Sequence, residues 1–260
     1  MLRSLLHLLG IYKLYEKWLY SQVKHKPIPQ HVALILDGNR RWALKKKLPP
    51  WFGHKEGAKK LKEALKWLLD LGVHTVTIYA LSTENLKRSR EELKELFKVF
   101  EKHLKEALED PVLDKYEVRF KAIGKLDLLP QGIQELLKKL EEKTSSYNKR
   151  FLNVAVAYGG RCEIIEAVRK ITRDVLEGKI SPERINEKLF EKYLFTAHLP
   201  NPSPDLIIRT SGEERLSNFL IWQSAYSEFC FLDTYWPEFR RIDLLRAVRT
   251  YQQRQRRFGR

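Results

Sequence analysis

Short apolar, β-branched runs punctuate the chain at residues 31–36, 73–81, 117–123, 151–158, 205–210 and 228–232. Each has the length of a buried strand. Between them apolar side chains recur every three or four residues: Ala58, Leu61, Leu65, Leu68 and Leu69 in one interval, Leu93, Leu96, Phe97, Phe100, Leu104 and Leu108 in the next. Ile133, Leu136, Leu137 and Leu140, then Ile164, Ile165, Val168, Ile171 and Val175, and finally Leu244, Leu245, Val248 and Tyr251 repeat the pattern. That period predicts amphipathic helices, with Gly72 and the Asp110-Pro111 pair as stop signals. Strands alternating with helices predict an α/β fold: a single domain with a central, mostly parallel sheet of about six strands flanked by helices.

No repeat or flexible linker interrupts this order, and the proline-rich loop at 196–204 reads as a connector. Residues 1–26 read as an N-terminal amphipathic helical segment ahead of a body at 27–260. Lys13 and Lys17 interrupt its leucines and no small-residue cleavage site follows, so neither a signal peptide nor a membrane span is expected. Packing on the body is its first expected role, and contact with a membrane surface its second.

Composition narrows the partners. Lys and Arg outnumber Asp and Glu 49 to 33, a net charge of +16, which favours anionic partners: nucleic acid, phosphorylated small molecules or acidic headgroups. The two cysteines, Cys162 and Cys230, lack metal-ligand spacing and suit a reducing cytoplasm.

In parallel sheets ligands bind beyond the carboxyl ends of the strands. After the first run stands Asp37-Gly38-Asn39-Arg40-Arg41-Trp42. A carboxylate there suits Mg²⁺, glycine admits close backbone approach, and arginine at a helix start suits a phosphate. Gly53-His54-Lys55-Glu56-Gly57 places a histidine in a loop ahead of a helix, passing near the same rim. After the second run, Ser82 and Asn85 offer hydrogen bonds and Arg88 a charge, although capping of a helix beginning near Ser89 explains this stretch as well. Arg209 and Arg215 bracket a Ser-Gly turn with Ser217 beyond, a clamp for a diphosphate, because guanidinium groups bind phosphate bidentately. Glu228 offers a second carboxylate for a metal. The sequence contains no P-loop, no dinucleotide fingerprint and no nucleophile elbow.

Together HVALILDGNRRWA, GHKEG, ALSTENLKRS, NVAVAYGGRCEI, PDLIIRTSGEERLSNFLIWQSAYSEF and the terminal RRFG resemble the cis-prenyltransferase family, the undecaprenyl and dehydrodolichyl diphosphate synthases, over residues 28–259. The resemblance implies Mg²⁺-dependent, repeated condensation of isopentenyl diphosphate onto an allylic diphosphate primer, in a homodimer, with no nucleic acid involved. By position, Asp37 and Asn85 are the catalytic residues that it implies, with Asp37 and Glu228 as metal ligands. The resemblance also implies that Gly38, Asn39, Arg40, Arg41, Trp42, His54, Ser82, Thr83, Glu84 and Arg88 surround the allylic diphosphate. It implies that Arg209, Arg215 and Ser217 grip isopentenyl diphosphate, joined by Arg257 and Gly259 reaching across the dimer.

Leu86 stands where many bacterial members have Trp, Pro50 where they often have Arg, and Glu214 where some have His. Arg40-Arg41 in place of Gly-Arg and a Lys/Glu-rich, Met-poor composition lean toward an archaeal enzyme, whose relatives take geranylgeranyl diphosphate as primer. Two other readings, a catalytically silent partner subunit and a basic nucleic-acid binder, fit poorly with a full set of metal and diphosphate residues gathered at strand ends. Leu65, Leu68, Leu69, Leu93, Phe97, Phe100 and Leu104 are the expected lining of an apolar tunnel for the growing chain.

Overall fold

The computed structural model describes residues 11–254. Its strands are β1 (His31–Ile35), β2 (Thr75–Tyr79), β3 (Val118–Ile123), β4 (Arg150–Ala155), β5 (Leu206–Thr210) and β6 (Glu228–Leu232). Each falls on an expected run, and all pair in parallel in the order β3-β4-β2-β1-β5-β6. From β1 the chain first builds one side of the sheet and then crosses to the other. The switch point therefore lies at β1, between β2 and β5, where a crevice opens at the carboxyl rim. Ile35 sits level with both Tyr79 and Arg209, so the segments leaving β1, β2 and β5 emerge side by side.

The helices are α1 (Ile11–Val23), α2 (Asn39–Lys45), α3 (Pro50–Leu71), α4 (Arg90–Glu109), α5 (Pro111–Lys115), α6 (Gln131–Lys143), α7 (Gly160–Leu176), α8 (Glu187–Glu191) and α9 (Arg241–Gln253). Alternation along the strands separates two cores. Val32, Leu34, Val76, Ile78, Leu206 and Ile208 face α1, α3 and α9, while Ala33, Ile35, Ile207 and Ala155 face Tyr158, Phe219 and Leu220 on the other side. A further cluster joins α4, α5 and α6 to β3. Leu19 and Val23 of α1 are wholly buried in the first core, so this helix belongs to the body of the molecule.

One expectation is corrected. His54 lies on the first turns of α3, not in a loop, because the helix begins at Pro50. Proline is pre-set for a first helical position, but Gly53 and Gly57 dilute the apolar period and conceal the helix from a pattern reading. Gly53 serves packing: a Cβ there would lie 2.0 Å from the carbonyl oxygen of Asn39, so only glycine lets α3 press against α2.

Candidate active site

A cavity of about 1150 Å³ opens at the carboxyl rim and runs beneath α3 and α4 along the sheet. It exceeds the roughly 300–1,000 Å³ of common ligand pockets. Its mouth carries Asp37, Arg41, His54, Ser82, Asn85, Arg88, Arg209 and Ser217, and its depth carries Leu65, Leu69, Phe100, Leu104, Val76 and Val154. At the far end stand His74 and Arg150, where β2 and β4 begin. The cavity thus spans the length of the strands. Leu65, Leu69, Phe100 and Leu104 line it as expected; Leu68, Leu93 and Phe97 do not.

Charges alternate in a chain that starts at the mouth with Arg209, Asp37 and Arg41 and continues to Glu213 and Arg215, which do not line the cavity. Arg209 Nη2 donates to Asp37 Oδ2 at 2.8 Å, and Arg41 Nη2 lies 3.4 Å from Asp37 Oδ1. Arg41 Nη1 then donates to Glu213 Oε1 at 2.8 Å, and Arg215 Nη1 reaches Glu213 Oε2 at 2.5 Å. The order is Arg209, Asp37, Arg41, Glu213, Arg215. Arg209 is nearly inaccessible and also donates to Ser217 Oγ at 2.8 Å and to the Arg215 carbonyl. Gly38, in a left-handed turn with φ 99°, donates its N–H to Asp37 Oδ1 at 2.6 Å. A Cβ at Gly38 would meet the Tyr235 ring at 2.7 Å, so the turn needs glycine on both counts.

Burial would raise the Asp37 carboxyl, but hydrogen bonding and charge from Arg209, with Arg41 and the Gly38 N–H, outweigh it and hold the group below the ordinary carboxylate range. Asp37 is therefore an anion poised for a cation and a poor general base.

A second cluster gathers on Glu92, which the sequence pattern does not single out. Its Oε1 lies 3.1 Å from Arg88 Nη1, 3.5 Å from His54 Nε2 and 3.7 Å from Arg40 Nε. Burial, then the positive charge of Arg88, push His54 down to about 4 against the pull of Glu92, so its ring is neutral. The available signal is the Ser89-x-x-Glu92 capping pattern. Ser89 does accept the Glu92 N–H at 3.3 Å, yet the carboxylate is committed to two guanidinium groups and the neutral His54 ring. Glu213 is equally inconspicuous in the sequence, inside a stretch whose arginines carry the signal.

The remaining candidates divide. Asn85 N–H donates to Ser82 Oγ at 3.1 Å and Ser82 N–H to Asn85 Oδ1 at 3.3 Å, and both residues line the mouth. So do Gly38, Asn39 and Arg40. Trp42 does not: its buried indole donates to Glu238 at 3.1 Å. Thr83 and Glu84 also stay off the cavity, since Thr83 donates to Glu84 at 3.1 Å and Glu84 accepts from Asn218 at 3.0 Å. Arg257 and Gly259 lie outside the described residues.

The undecaprenyl diphosphate synthase family profile matches residues 35–259. The chain belongs to the undecaprenyl diphosphate synthase family. It is a prenyltransferase. It is 54% identical to the tritrans,polycis-undecaprenyl-diphosphate synthase (geranylgeranyl-diphosphate specific) of Methanocaldococcus jannaschii, over 96% of this chain and 89% of that one. The enzyme of the same name from Methanopyrus kandleri is 56% identical over 96% and 92%. Lavandulyl diphosphate synthase from Lavandula x intermedia, solved with dimethylallyl diphosphate, superposes with a TM-score of 0.87 at 38% identity, covering 90% of this chain and 99% of that one.

In this prenyltransferase no group of three or more His, Cys, Asp or Glu side chains among the described residues would cage a metal. Mg²⁺ needs no cage where one or two carboxylates and substrate phosphates share it, and Asp37 at the cavity mouth suits that mode. Glu228 does not join it. It opens β6 level with Leu206, three residues or about 10 Å before the level of Arg209, at the opposite rim from Asp37. There it pairs with Arg254 at 2.6 Å, so within this chain it shares no ion with Asp37. An apolar run identifies the strand that carries Glu228 but not which end of that strand it occupies.

Proposed function

We propose that the enzyme adds isopentenyl units repeatedly to geranylgeranyl diphosphate, each new double bond cis, to give a polyprenyl diphosphate of about undecaprenyl length. The observation that carries this reading is the alternating chain of three guanidinium groups and two carboxylates that starts at the mouth of an apolar cavity as long as the sheet, with Arg209, Asp37 and Arg41 on the lining and Glu213 and Arg215 just outside it. The archaeal relatives support the primer and the product class.

In each cycle the bond from the allylic C1 to its diphosphate breaks, C4 of the isopentenyl unit bonds to that carbon, and a proton leaves C2. Asp37 is the residue that would hold Mg²⁺, which when bound neutralises charge building on the leaving diphosphate. Arg40, Arg41 and Arg88, with neutral His54, surround that diphosphate, and Arg209, Arg215 and Ser217 hold the isopentenyl one. Fixed positive charge and fixed orientation are the two largest contributions such a site makes. Ser82 and Asn85, locked to each other, orient the reacting units. The lengthening tail descends between α3 and α4, each five-carbon unit gaining about 4 kcal/mol of gross burial.

The proposal includes a homodimer. Its supports are the edge strand β6 with exposed Phe231, and exposed Ile165 and Val168 on α7. Arg257 and Gly259 would enter the partner's isopentenyl site. It also includes a cytoplasmic enzyme touching the membrane surface through its N-terminal segment, supported by Leu14 and Trp18, exposed on α1 beside Lys13 and Lys17. Among the described residues no helix is long and apolar enough to cross a membrane.

Incubation with labelled isopentenyl diphosphate, Mg²⁺ and primers of increasing length tests the reading. The expected result is a ladder of long products formed best from geranylgeranyl diphosphate. No incorporation with any primer would overturn it.

A further inference from the structure

We infer that Glu213 is an internal stand-in for a phosphate that couples the two diphosphate subsites, so that whichever substrate arrives first clears the way for the other. This rests on the two-subsite reading above. The Glu213 carboxylate occupies Arg41 Nη1 with one oxygen and Arg215 Nη1 with the other, at 2.8 and 2.5 Å. Arg41 belongs to the allylic grip and Arg215 to the isopentenyl grip. One carboxylate therefore ties together one guanidinium from each, using N–H groups that a phosphate would claim bidentately.

The turn presenting it is anchored. Ser211 and Gly212 both adopt left-handed backbone, φ 81° and 73°, and their N–H groups donate to Thr234 and Leu232 carbonyls at 2.8 and 2.9 Å. A non-glycine residue in that conformation is strained, and the surrounding bonds hold it there. The guanidinium groups on Glu213 are open to an arriving ligand: Arg41 is 41% exposed and Arg215 63%, against 4% for Arg209 on Asp37, while the two carboxylates are similarly covered. An incoming anion thus competes for the groups on Glu213 more readily than for Arg209.

Displacement of Glu213 follows from this arrangement. A diphosphate reaching Arg41 takes the N–H that Glu213 holds, and repulsion drives the carboxylate to solvent. Arg215 is then released. The cost of expelling Glu213 is incurred once, by the first ligand, and the second binds without it. Repulsion between the two diphosphates opposes this coupling, but it is the same with or without Glu213 and cancels on comparison.

Calorimetry with an inert allylic thiolodiphosphate and with isopentenyl diphosphate, each alone and each with the other saturating, in the presence of Mg²⁺, separates the outcomes. In the wild-type enzyme the second ligand is expected to bind roughly fivefold or more tighter than it does alone. In Glu213→Gln, and in Glu213→Ser as a second variant, each ligand alone should bind several-fold tighter than to wild type, and the coupling factor should fall to about one or below. A coupling factor unchanged by both variants, or weaker binding of each lone ligand, would refute the stand-in. Failure of the wild-type enzyme to bind either ligand would instead refute the two-subsite reading.

Discussion

Asp37 and Glu92 each hold a cluster of cations at the rim, and their removal has different consequences. Asp37 carries a depressed pKa, so it remains charged as pH falls through the ordinary carboxylate range and loses its charge only below it. The Asp37 contribution to activity is therefore expected to persist to lower pH than that of an unperturbed aspartate, which titrates at about 3.9. Initial rates across that range in a mixed buffer check this, after correction for any unfolding. Glu92 collects Arg88, Arg40 and the neutral His54 ring, and Glu92→Gln leaves the two guanidinium groups without this counter-charge. Its stability should fall by about 1–3 kcal/mol in urea denaturation, and KM for the allylic primer should rise more than KM for isopentenyl diphosphate. Both residues show what a sequence conveys at this scale. Asp37 is legible because it ends a strand run beside glycine and arginine; Glu92 and Glu213 are not, because their carboxylates matter only through partners brought in from other segments.

The elements α2 and α3 meet at Gly53, where a Cβ would stand only 2.0 Å from the Asn39 carbonyl oxygen. Gly53→Ala should push α2, and with it Arg40 and Arg41, away from the sheet, destabilising the fold by about 1–3 kcal/mol and raising the primer KM. Thermal melts and primer titrations check the two effects. On α3 itself, His54 has a folded pKa of about 4 against 6.5 unfolded. Between those values the unfolded chain binds a proton that the folded one does not, so stability falls as pH drops from 6.5 toward 4, by up to about 1.4 kcal/mol per pH unit. His54→Gln should flatten that part of the stability–pH curve. Strands and most helices are legible from period alone. The start of α3 is hidden because its glycines answer to a neighbouring helix, and the place of Glu228 is hidden because a strand run does not say which end meets the site.

Across the whole molecule the sheet sets both the chemistry at one rim and the depth of the cavity. α4 begins beside the mouth at Arg90 and reaches the far end near Ala107, which lines the cavity. Ala107→Phe is expected to shorten the products with little change in the first condensation, read by thin-layer separation of the dephosphorylated lipids. The fold class and the rim are legible because parallel sheets place ligands at a predictable edge; cavity depth is not, since it depends on which leucines turn inward. The most direct test of the account is single-turnover incorporation of labelled isopentenyl diphosphate into geranylgeranyl diphosphate by wild type and Asp37→Ala, in Mg²⁺ and at saturating substrates. The account predicts a loss of at least about a hundredfold in rate with the fold intact; equal rates in the two proteins would contradict it.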